Sequence, residues 1–361
     1  MNSTTINRFR KSLRLALVGL GSLVFAGTAY SGSPEVSEFS LPSGVLTDAS
    51  SNLGLCSDSE AIIATPNRDA VYDVDLLSKR YRRLRLGRNK IVEPASNHSG
   101  CWIAYSKPAF ITSVSEGKTL KGLLLSPSTD LPGHLYSQSP GSVWLVLTRS
   151  NALVHYNGSK AKYYYVPHPE ALFKPWTSLS LDAQPRKIRI ETKAFSDLIV
   201  ASIYYSRISA ISPGRNNIWL ATNGPIESIA LLDIDNRHVA FYRVPPVQPY
   251  AALTGVVSTG QHSALYSTTA GVFSLSLSHS ATLVQAFGGE VAATRPLIHF
   301  GSRVCVRFRS SGIECTSAAE PRRFTYILKD SSGIVSMSAT HDMLYTLDIR
   351  CRCVRRYNFA R

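Results

Sequence analysis

Residues 208–245 read ISAISPGRNNIWLATNGPIESIALLDIDNRHVAFYRVP, in which four short apolar runs alternate with turn-forming residues. The runs are rich in Ile, Val, Leu and aromatic residues, which favour β-strands. The pairs Pro-Gly, Asn-Asn and Asp-Asn lie among them and are typical of tight turns. The segment therefore predicts a four-stranded meander.

The same pattern recurs along the chain at about 40 residues, and its second strand is the easiest to trace. Successive copies are 39 to 46 residues apart, except for one interval of 75 residues. A degenerate copy fits that interval, with strands near Leu179, Ile188 and Ile199. We therefore expect an all-β propeller of about eight blades, with seven blades plus an insertion over residues 168–206 as the alternative. The equivalent positions are Ile62, Trp102, Trp144, Trp219, Leu265, Val304 and Leu344.

The chain ends suggest how the ring closes. Each sheet buries both faces against its neighbours, so the copies are expected to stack radially. The last copy, from Ile334 to Phe359, contains only three strands, and the segment 35–42 resembles the outer strand 240–245. We expect the N-terminal strand to complete the last blade; an open linear array is the alternative.

The first 31 residues differ in composition from the rest. Four cations precede the apolar run 15–26, and Ala29-Tyr30-Ser31 offers a cleavage site, a pattern typical of a secretory signal peptide. We expect residues 1–31 to be this signal and residues 32–361 to be a single propeller domain, exported to the periplasm or outside the cell. The alternative is an uncleaved anchor; no later stretch predicts a transmembrane span.

Six cysteines follow the predicted signal, and disulfides are expected in an oxidising compartment. Cys305 and Cys315 flank a predicted hairpin around Ser310-Ser311, and the spacing allows a bridge between them. Cys56 and Cys101 are placed to join adjacent blades.

Cys351-Arg352-Cys353 has no pairing that the sequence decides. A C-x-C element suits a disulfide, a redox pair or metal ligands, but neither a His nor a second C-x-C stands nearby to complete a zinc site. We expect structural disulfides, no metal and no cofactor.

Positive charge is concentrated near the two ends of the domain. The formal net charge is +15, of which residues 1–31 contribute four. Seven of the twelve residues 79–90 are cationic, and the C-terminus is also rich in arginine. Ring closure would make the two clusters neighbours. The residues that we expect to bind a partner are Arg80, Arg82, Arg83, Arg85, Arg88, Lys90, Arg352, Arg355 and Arg356.

Such a patch suits phosphate, sulfate or carboxylate groups, because the arginine fork donates two hydrogen bonds and stays charged. The expected partner is an anionic macromolecule, namely an envelope glycolipid, an acidic polysaccharide or an acidic protein; nucleic acid is disfavoured. The alternative interpretation is a solvated outer strand whose charges prevent edge pairing.

The unit Asn217-Ile-Trp-Leu-Ala-Thr with Phe241-Tyr-Arg-Val-Pro resembles repeats of the virginiamycin B lyase (streptogramin lyase) propellers, as does Glu38-Phe-Ser-Leu-Pro. This resemblance implies a metal-dependent elimination that opens a cyclic depsipeptide, using His and Glu residues around the central channel.

The family's His and Glu positions are occupied by other residues in this chain. Tyr250 and Leu297 stand where the family has His, and Thr222 and Thr268 stand where it has Glu. An elimination needs a base near the proton that it removes. The matching positions supply none, which favours a non-catalytic binding or scaffold module; a divergent lyase-like enzyme with a site at the channel is the alternative.

His168, Glu170 and His299 are the other residues that could supply an acid or a base. His168 and Glu170 lie in Val166-Pro-His-Pro-Glu, where the prolines indicate a turn, and His299 lies on a predicted strand. We interpret all three as structural. The chain contains no H-E-x-x-H, phosphate-binding loop or G-x-S-x-G motif.

Overall fold

The computed structural model describes residues 34–84, 90–97, 100–106, 108–115, 118–125, 128–139, 141–171, 186–189, 192–193, 205–244, 252–277, 282–288, 290–292, 296–309, 312–319, 324–328, 332–340 and 342–359. Pro34–Arg361 form one compact unit. The predicted signal peptide, residues 1–31, lies outside the described residues and stays a prediction. No helix in the described ranges is long and apolar enough to cross a membrane.

The described residues contain thirty strands and two short 3₁₀ turns. The 3₁₀ turns are Pro66–Arg68 and Pro169–Ala171. The strands are β1 (Glu35–Ser40), β2 (Asn52–Leu55), β3 (Glu60–Thr65), β4 (Ala70–Asp75), β5 (Arg80–Leu84), β6 (Lys90–Asn97), β7 (Gly100–Ser106), β8 (Phe110–Ser115), β9 (Lys118–Leu124), β10 (Pro132–Ser139), β11 (Ser142–Leu147), β12 (Ala152–Tyr156), β13 (Ala161–Tyr165), β14 (Arg186–Arg189), β15 (Thr192–Lys193), β16 (Arg207–Pro213), β17 (Asn217–Asn223), β18 (Ser228–Asp233), β19 (His238–Arg243), β20 (Leu253–Gly260), β21 (Ser263–Thr268), β22 (Gly271–Ser276), β23 (Thr282–Gly288), β24 (Leu297–Phe300), β25 (Arg303–Arg307), β26 (Ile313–Ser317), β27 (Phe324–Leu328), β28 (Ile334–Ala339), β29 (Met343–Asp348) and β30 (Cys353–Asn358).

These strands form seven antiparallel sheets, which are the blades of a β-propeller. Blade 1 is β2 to β5, blade 2 is β6 to β9, blade 3 is β10 to β13 and blade 4 is β16 to β19. Blades 5 and 6 are β20 to β23 and β24 to β27, and blade 7 is β28 to β30 with β1. The first strand of each blade contacts the first strand of the next, and β28 contacts β2. The ring is therefore closed.

The N-terminal strand completes the last blade, as the sequence predicts. Strand β1 pairs antiparallel with β30, from Glu35 opposite Asn358 to Ser40 opposite Cys353. Strand β30 is thus hydrogen-bonded on both sides, because it also pairs with β29. Both ends of the domain lie in one sheet.

The propeller that the described residues form has seven blades. The sequence-based expectation of about eight was therefore wrong, and its alternative of seven blades plus an insertion is confirmed. The described strands between blades 3 and 4 join the outer edges of those blades instead of forming their own sheet. In β14, Ile188 lies opposite Val239 of blade 4, and in β15, Thr192 lies opposite Tyr164 of blade 3. The other predicted strands, near 179 and 199, lie outside the described residues.

The core lies between the blades. The second strand of a blade is buried on both faces, which explains why the sequence repeat is easiest to trace in the second strands. On β17, Leu220 packs into the cluster shared with blade 3, whereas Trp219 packs into the cluster shared with blade 5. Both side chains are fully buried. A strand covered on both faces needs apolar residues at successive positions, which removes the usual alternation.

Three disulfides are present. Cys56–Cys101 joins blades 1 and 2, and Cys305–Cys315 links the directly opposed residues of β25 and β26, so both expected bridges are confirmed. Cys351 and Cys353 bond to each other at the turn between β29 and β30. Three disulfides are compatible with an exported protein.

Candidate functional site

The predicted basic surface divides between the two faces of blade 1. Side chains alternate along a strand, and Leu84 of β5 packs in the core between blades 1 and 2. Arg80 and Arg82 share the face of Leu84, whereas Tyr81 and Arg83 lie on the opposite face. All three arginines are exposed.

Acidic residues lie beside the two arginines that face blade 2. Asp75 is directly opposite Arg80, and Asp73 is directly opposite Arg82. Burial raises the pKa of the Asp73 carboxyl, against the opposing effects of a hydrogen bond with Glu60 and the charge of Arg82. This face therefore combines both signs of charge.

Arg83 lies on the side of blade 1 that faces blade 7. It is directly opposite Tyr72, which belongs to the core shared by these two blades. The Tyr81 ring lies 6.1 Å from the Tyr72 ring in an edge-on contact. A Cβ at Gly44 would overlap the Tyr81 hydroxyl, so Tyr81 covers the linker between β1 and β2.

The facing side of blade 7 carries Arg356. Its guanidinium carbon lies 5.3 Å from the centre of the Phe39 ring, and its Nη2 donates a 3.4 Å hydrogen bond to Ser37 Oγ. Phe39 packs against the core between blades 7 and 1. Arg356 is therefore partly buried, with its stem on apolar surface.

Arg352 reaches the same linker from the turn before β30. Its Nη2 donates hydrogen bonds to the backbone oxygens of Ser43, at 2.9 Å, and Val45, at 3.2 Å. Arg352 is exposed. Members of both predicted clusters thus lie on the facing sides of blades 1 and 7, and we call Tyr81, Arg83, Arg352 and Arg356 the seam patch.

The remaining predicted binding residues lie elsewhere. Arg355 points to the other side of blade 7, where it is paired with Glu38 at 3.0 Å and Asp348 at 2.7 Å. Arg85 and Arg88 lie outside the described residues, and Lys90 begins β6 without a described side chain.

His168 and Glu170 converge on Ser206, immediately before the inner strand β16. His168 Nδ1 lies 2.7 Å from Ser206 O, and Glu170 Oε1 accepts hydrogen bonds from Ser206 N at 2.7 Å and Oγ at 2.5 Å. The same hydroxyl accepts a hydrogen bond from Ile226 N. Ser206 is fully buried, so this cluster fastens the loop after blade 3 to blade 4 and offers no accessible nucleophile.

The positions that match the lyase family carry no acid or base in the described residues. Thr222 is buried and its Oγ1 lies 2.7 Å from Ser228 Oγ, and Thr268 is also buried. Leu297 begins β24, on which His299 is exposed. Tyr250 lies outside the described residues.

Glu227 is a functional candidate that the sequence did not reveal. Burial raises the pKa of its carboxyl from 4.5 to about 7, although a hydrogen bond from the Leu253 backbone opposes the shift. Burial and the charge of Glu227 also raise the pKa of Tyr266, which lies in the core between blades 4 and 5. The burial of Glu227 depends on the next blade, so its local sequence gives no signal.

Cys351, Cys353 and Glu38 are close enough to be considered as metal ligands. Their two sulfurs and one carboxylate oxygen lie within 4.8 Å of one another. The sulfurs are bonded to each other, however, and the form of cysteine that binds metal is the thiolate. The geometry here is that of a disulfide beside a carboxylate.

A scan against protein-family models and a search of curated proteins gave no match. Solved propellers do resemble the chain. A virginiamycin B lyase from Staphylococcus aureus is 12% identical, with a TM-score of 0.60 over 90% of this chain and 99% of that one. BamB from Moraxella catarrhalis is 10% identical, with a TM-score of 0.50 over 85% and 84% of the two chains. The Pan2 WD40 domain of Neurospora crassa is 11% identical, with a TM-score of 0.56 over 91% and 97%. At these identities the likeness shows the fold alone.

Proposed function

We propose that this propeller is a non-catalytic binding module that holds an anionic partner at the seam patch. The observation that carries the proposal is the position of Arg83 on the side of blade 1 that faces blade 7, where Arg356 and Arg352 lie. Ring closure makes blades 7 and 1 neighbours, although these cations are about 270 residues apart in the chain.

The chemistry of the seam patch suits sulfate, phosphate and carboxylate groups. Guanidinium groups stay charged and donate paired hydrogen bonds to planar or tetrahedral anions. Tyr81 is 45% exposed beside them and adds a phenol donor with an aromatic face. An acidic polysaccharide, an anionic envelope glycolipid or an acidic protein outside the cytoplasm would present such groups.

Two substitutions that remove the same charge test the site. Arg83→Gln alters the seam patch, whereas Arg80→Gln alters the opposite face of the same strand, beside Asp75. We expect Arg83→Gln to elute from a heparin column at a clearly lower salt concentration than Arg80→Gln, because Asp75 already offsets the charge of Arg80. Equal shifts for the two variants would refute the seam patch as the binding surface.

The partner class is tested separately, with the mature protein. Pull-downs from the cell envelope at low and high salt, with the Arg83→Gln protein alongside, separate specific capture from general adhesion to a basic protein. A glycolipid, a polysaccharide and a protein are distinguished by mass spectrometry of the eluate. Retention that does not depend on salt would contradict an ionic partner.

A divergent enzyme is the second candidate, and the raised pKa of the Glu227 carboxyl favours it. A carboxyl with a pKa of about 7 is suited to general base catalysis at neutral pH. Incubation with virginiamycin B, followed by mass spectrometry, tests for ring opening in the wild type and in Glu227→Gln. Under the binding proposal neither protein opens the ring; opening by the wild type alone would establish the enzyme.

A further inference from the structure

The Cys351–Cys353 disulfide differs from the other two in what it contributes to folding. Its cysteines are 2 positions apart, whereas the other bridges span 45 and 10 positions. Stabilisation by a disulfide increases with the length of the loop that it closes. This bridge therefore adds little stability to the fold.

The two cysteines of this bridge differ in exposure. Cys351 is exposed and Cys353 is fully buried, while both cysteines of each other bridge are buried. Thiol–disulfide exchange begins with the attack of a thiolate on an accessible sulfur. Of the six disulfide-bonded cysteines, all within the described ranges, Cys351 is the one whose residue is exposed.

A fixed cation contacts the exposed sulfur. Arg355 Nη2 lies 3.5 Å from Cys351 Sγ, in donor geometry. The other nitrogens of this guanidinium are held by carboxylates, Nε by Glu38 at 3.0 Å and Nη1 by Asp348 at 2.7 Å. A positively charged donor beside a cysteine favours the thiolate and lowers the pKa of the thiol. The Glu38 carboxylate, with an oxygen within 4.8 Å of both sulfurs, opposes this effect, but Arg355 is in direct contact with Cys351 Sγ.

The surrounding backbone does not depend on the disulfide. Cys353 is paired with Ser40 on one side and Asp348 on the other, within a strand that is hydrogen-bonded along both edges. Arg352, between the two cysteines, has φ of 51° and is fixed by its hydrogen bonds to the linker. The bridge can therefore open while blade 7 stays intact.

We propose that Cys351–Cys353 is a thiol–disulfide exchange site that oxidises a substrate dithiol. A substrate thiolate attacks Cys351 Sγ, a new bond forms between them, and the electron pair of the old bond passes to Cys353 Sγ, which takes up a proton. The second substrate thiolate then attacks the substrate sulfur of this mixed disulfide and displaces Cys351 as a thiolate. The substrate loses two electrons and becomes a disulfide; Cys351 and Cys353 gain them.

Arg355 acts in the second step. It donates to the sulfur that leaves, and a thiol of lower pKa leaves faster. Cys351 is thus both the point of attack in the first step and the stabilised leaving group of the second, whereas the buried Cys353 is the leaving group of the first step.

Selective reduction tests the proposal with the full chain. The native protein is treated with limiting dithiothreitol, the free thiols are trapped with N-ethylmaleimide, and the labelled cysteines are identified by mass spectrometry. We expect Cys351 and Cys353 to be labelled at least tenfold faster than the other four cysteines. Reduction of all three bridges at the same rate would overturn the proposal.

The role of Arg355 is tested by measuring the rate of alkylation of Cys351 in the reduced protein as a function of pH. We expect a midpoint below about 7.5, compared with about 8.5 for an ordinary cysteine. Arg355→Gln should raise the midpoint towards 8.5, and Arg355→Lys should keep it low. Arg309→Gln is the matched control, because Arg309 is exposed and paired with Glu290 in another part of the ring. A midpoint near 8.5 in the wild type, or one unchanged by Arg355→Gln, counts against the site.

Discussion

Arg355 Nε donates a 3.0 Å hydrogen bond to Glu38 Oε2, across the ladder that joins the two ends of the domain. The two residues are directly opposite in β30 and β1, although 317 positions separate them in the chain. The same guanidinium is 2.7 Å from Asp348, whose side chain is only 8% exposed. Ring closure thus combines an exposed ion pair with a buried one.

The two carboxylates should contribute unequally to stability. Glu38→Gln removes an exposed partner and should lower the free energy of unfolding by less than about 1 kcal/mol. Asp348→Asn removes the buried negative charge that accepts a hydrogen bond from Arg355 and should cost about 1.5–3 kcal/mol. Urea denaturation of the two variants measures the difference. Equal losses would show that burial of Asp348 does not determine its contribution.

The interface between blades 4 and 5 depends on Trp219. This side chain is fully buried in the second strand of blade 4, so Trp219→Ala should lower the free energy of unfolding by about 3–5 kcal/mol. Leu77→Ala is the control, because Leu77 is 67% exposed in a turn, and its loss should be near zero. Similar midpoints of thermal unfolding for the two variants would contradict this assignment of the core.

The propeller could be predicted from the sequence because its evidence is local. The second strands are buried on both faces, so Ile62, Trp144 and Trp219 recur with apolar neighbours at a regular spacing. Closure by β1 was also predictable, because the last copy lacks a strand and Phe39 and Pro42 match Tyr242 and Pro245 of the complete copy.

The blade count and the site depend on information that is not local. Ile188 lies in a segment with strand-forming residues. Whether such a segment forms a blade of its own or an edge strand depends on which strand pairs with it. Here Ile188 lies opposite Val239, so the segment extends the edge of blade 4. Likewise, alternation along β5 could indicate that Arg80 and Arg83 face opposite ways. It could not indicate that Asp75 lies opposite Arg80, or that Arg83 lies on the side facing blade 7. The burial of Glu227 comes from the following blade.

Asn151 should be more sensitive to substitution than most turn residues. It is buried with φ of 51°, its Nδ2 donates to Val166 O at 2.8 Å, and its Oδ1 accepts from Ile208 N at 2.8 Å. Asn151→Ala should cost about 2–4 kcal/mol, because it leaves buried backbone groups without partners and adds left-handed strain. Asn151→Gly loses the hydrogen bonds without the strain and should be about 1 kcal/mol less destabilised. Urea denaturation would refute this account if the glycine variant were the less stable.

Glu227 should make stability depend on pH between about 4.5 and 7. Its carboxyl has a pKa of about 7 in the folded chain and an ordinary pKa of 4.5 in the unfolded chain. Between these values the folded state binds more protons than the unfolded state. Its contribution is fully present below pH 4.5 and is lost as the pH rises through 7, where a partly buried group must become charged. Glu227→Gln should therefore unfold at a higher urea concentration than the wild type at pH 8, and at a similar one at pH 5. Glu290→Gln removes an exposed carboxylate instead, and it should leave the pH dependence of the wild type in place. If Glu227→Gln retains that dependence, another group is its source.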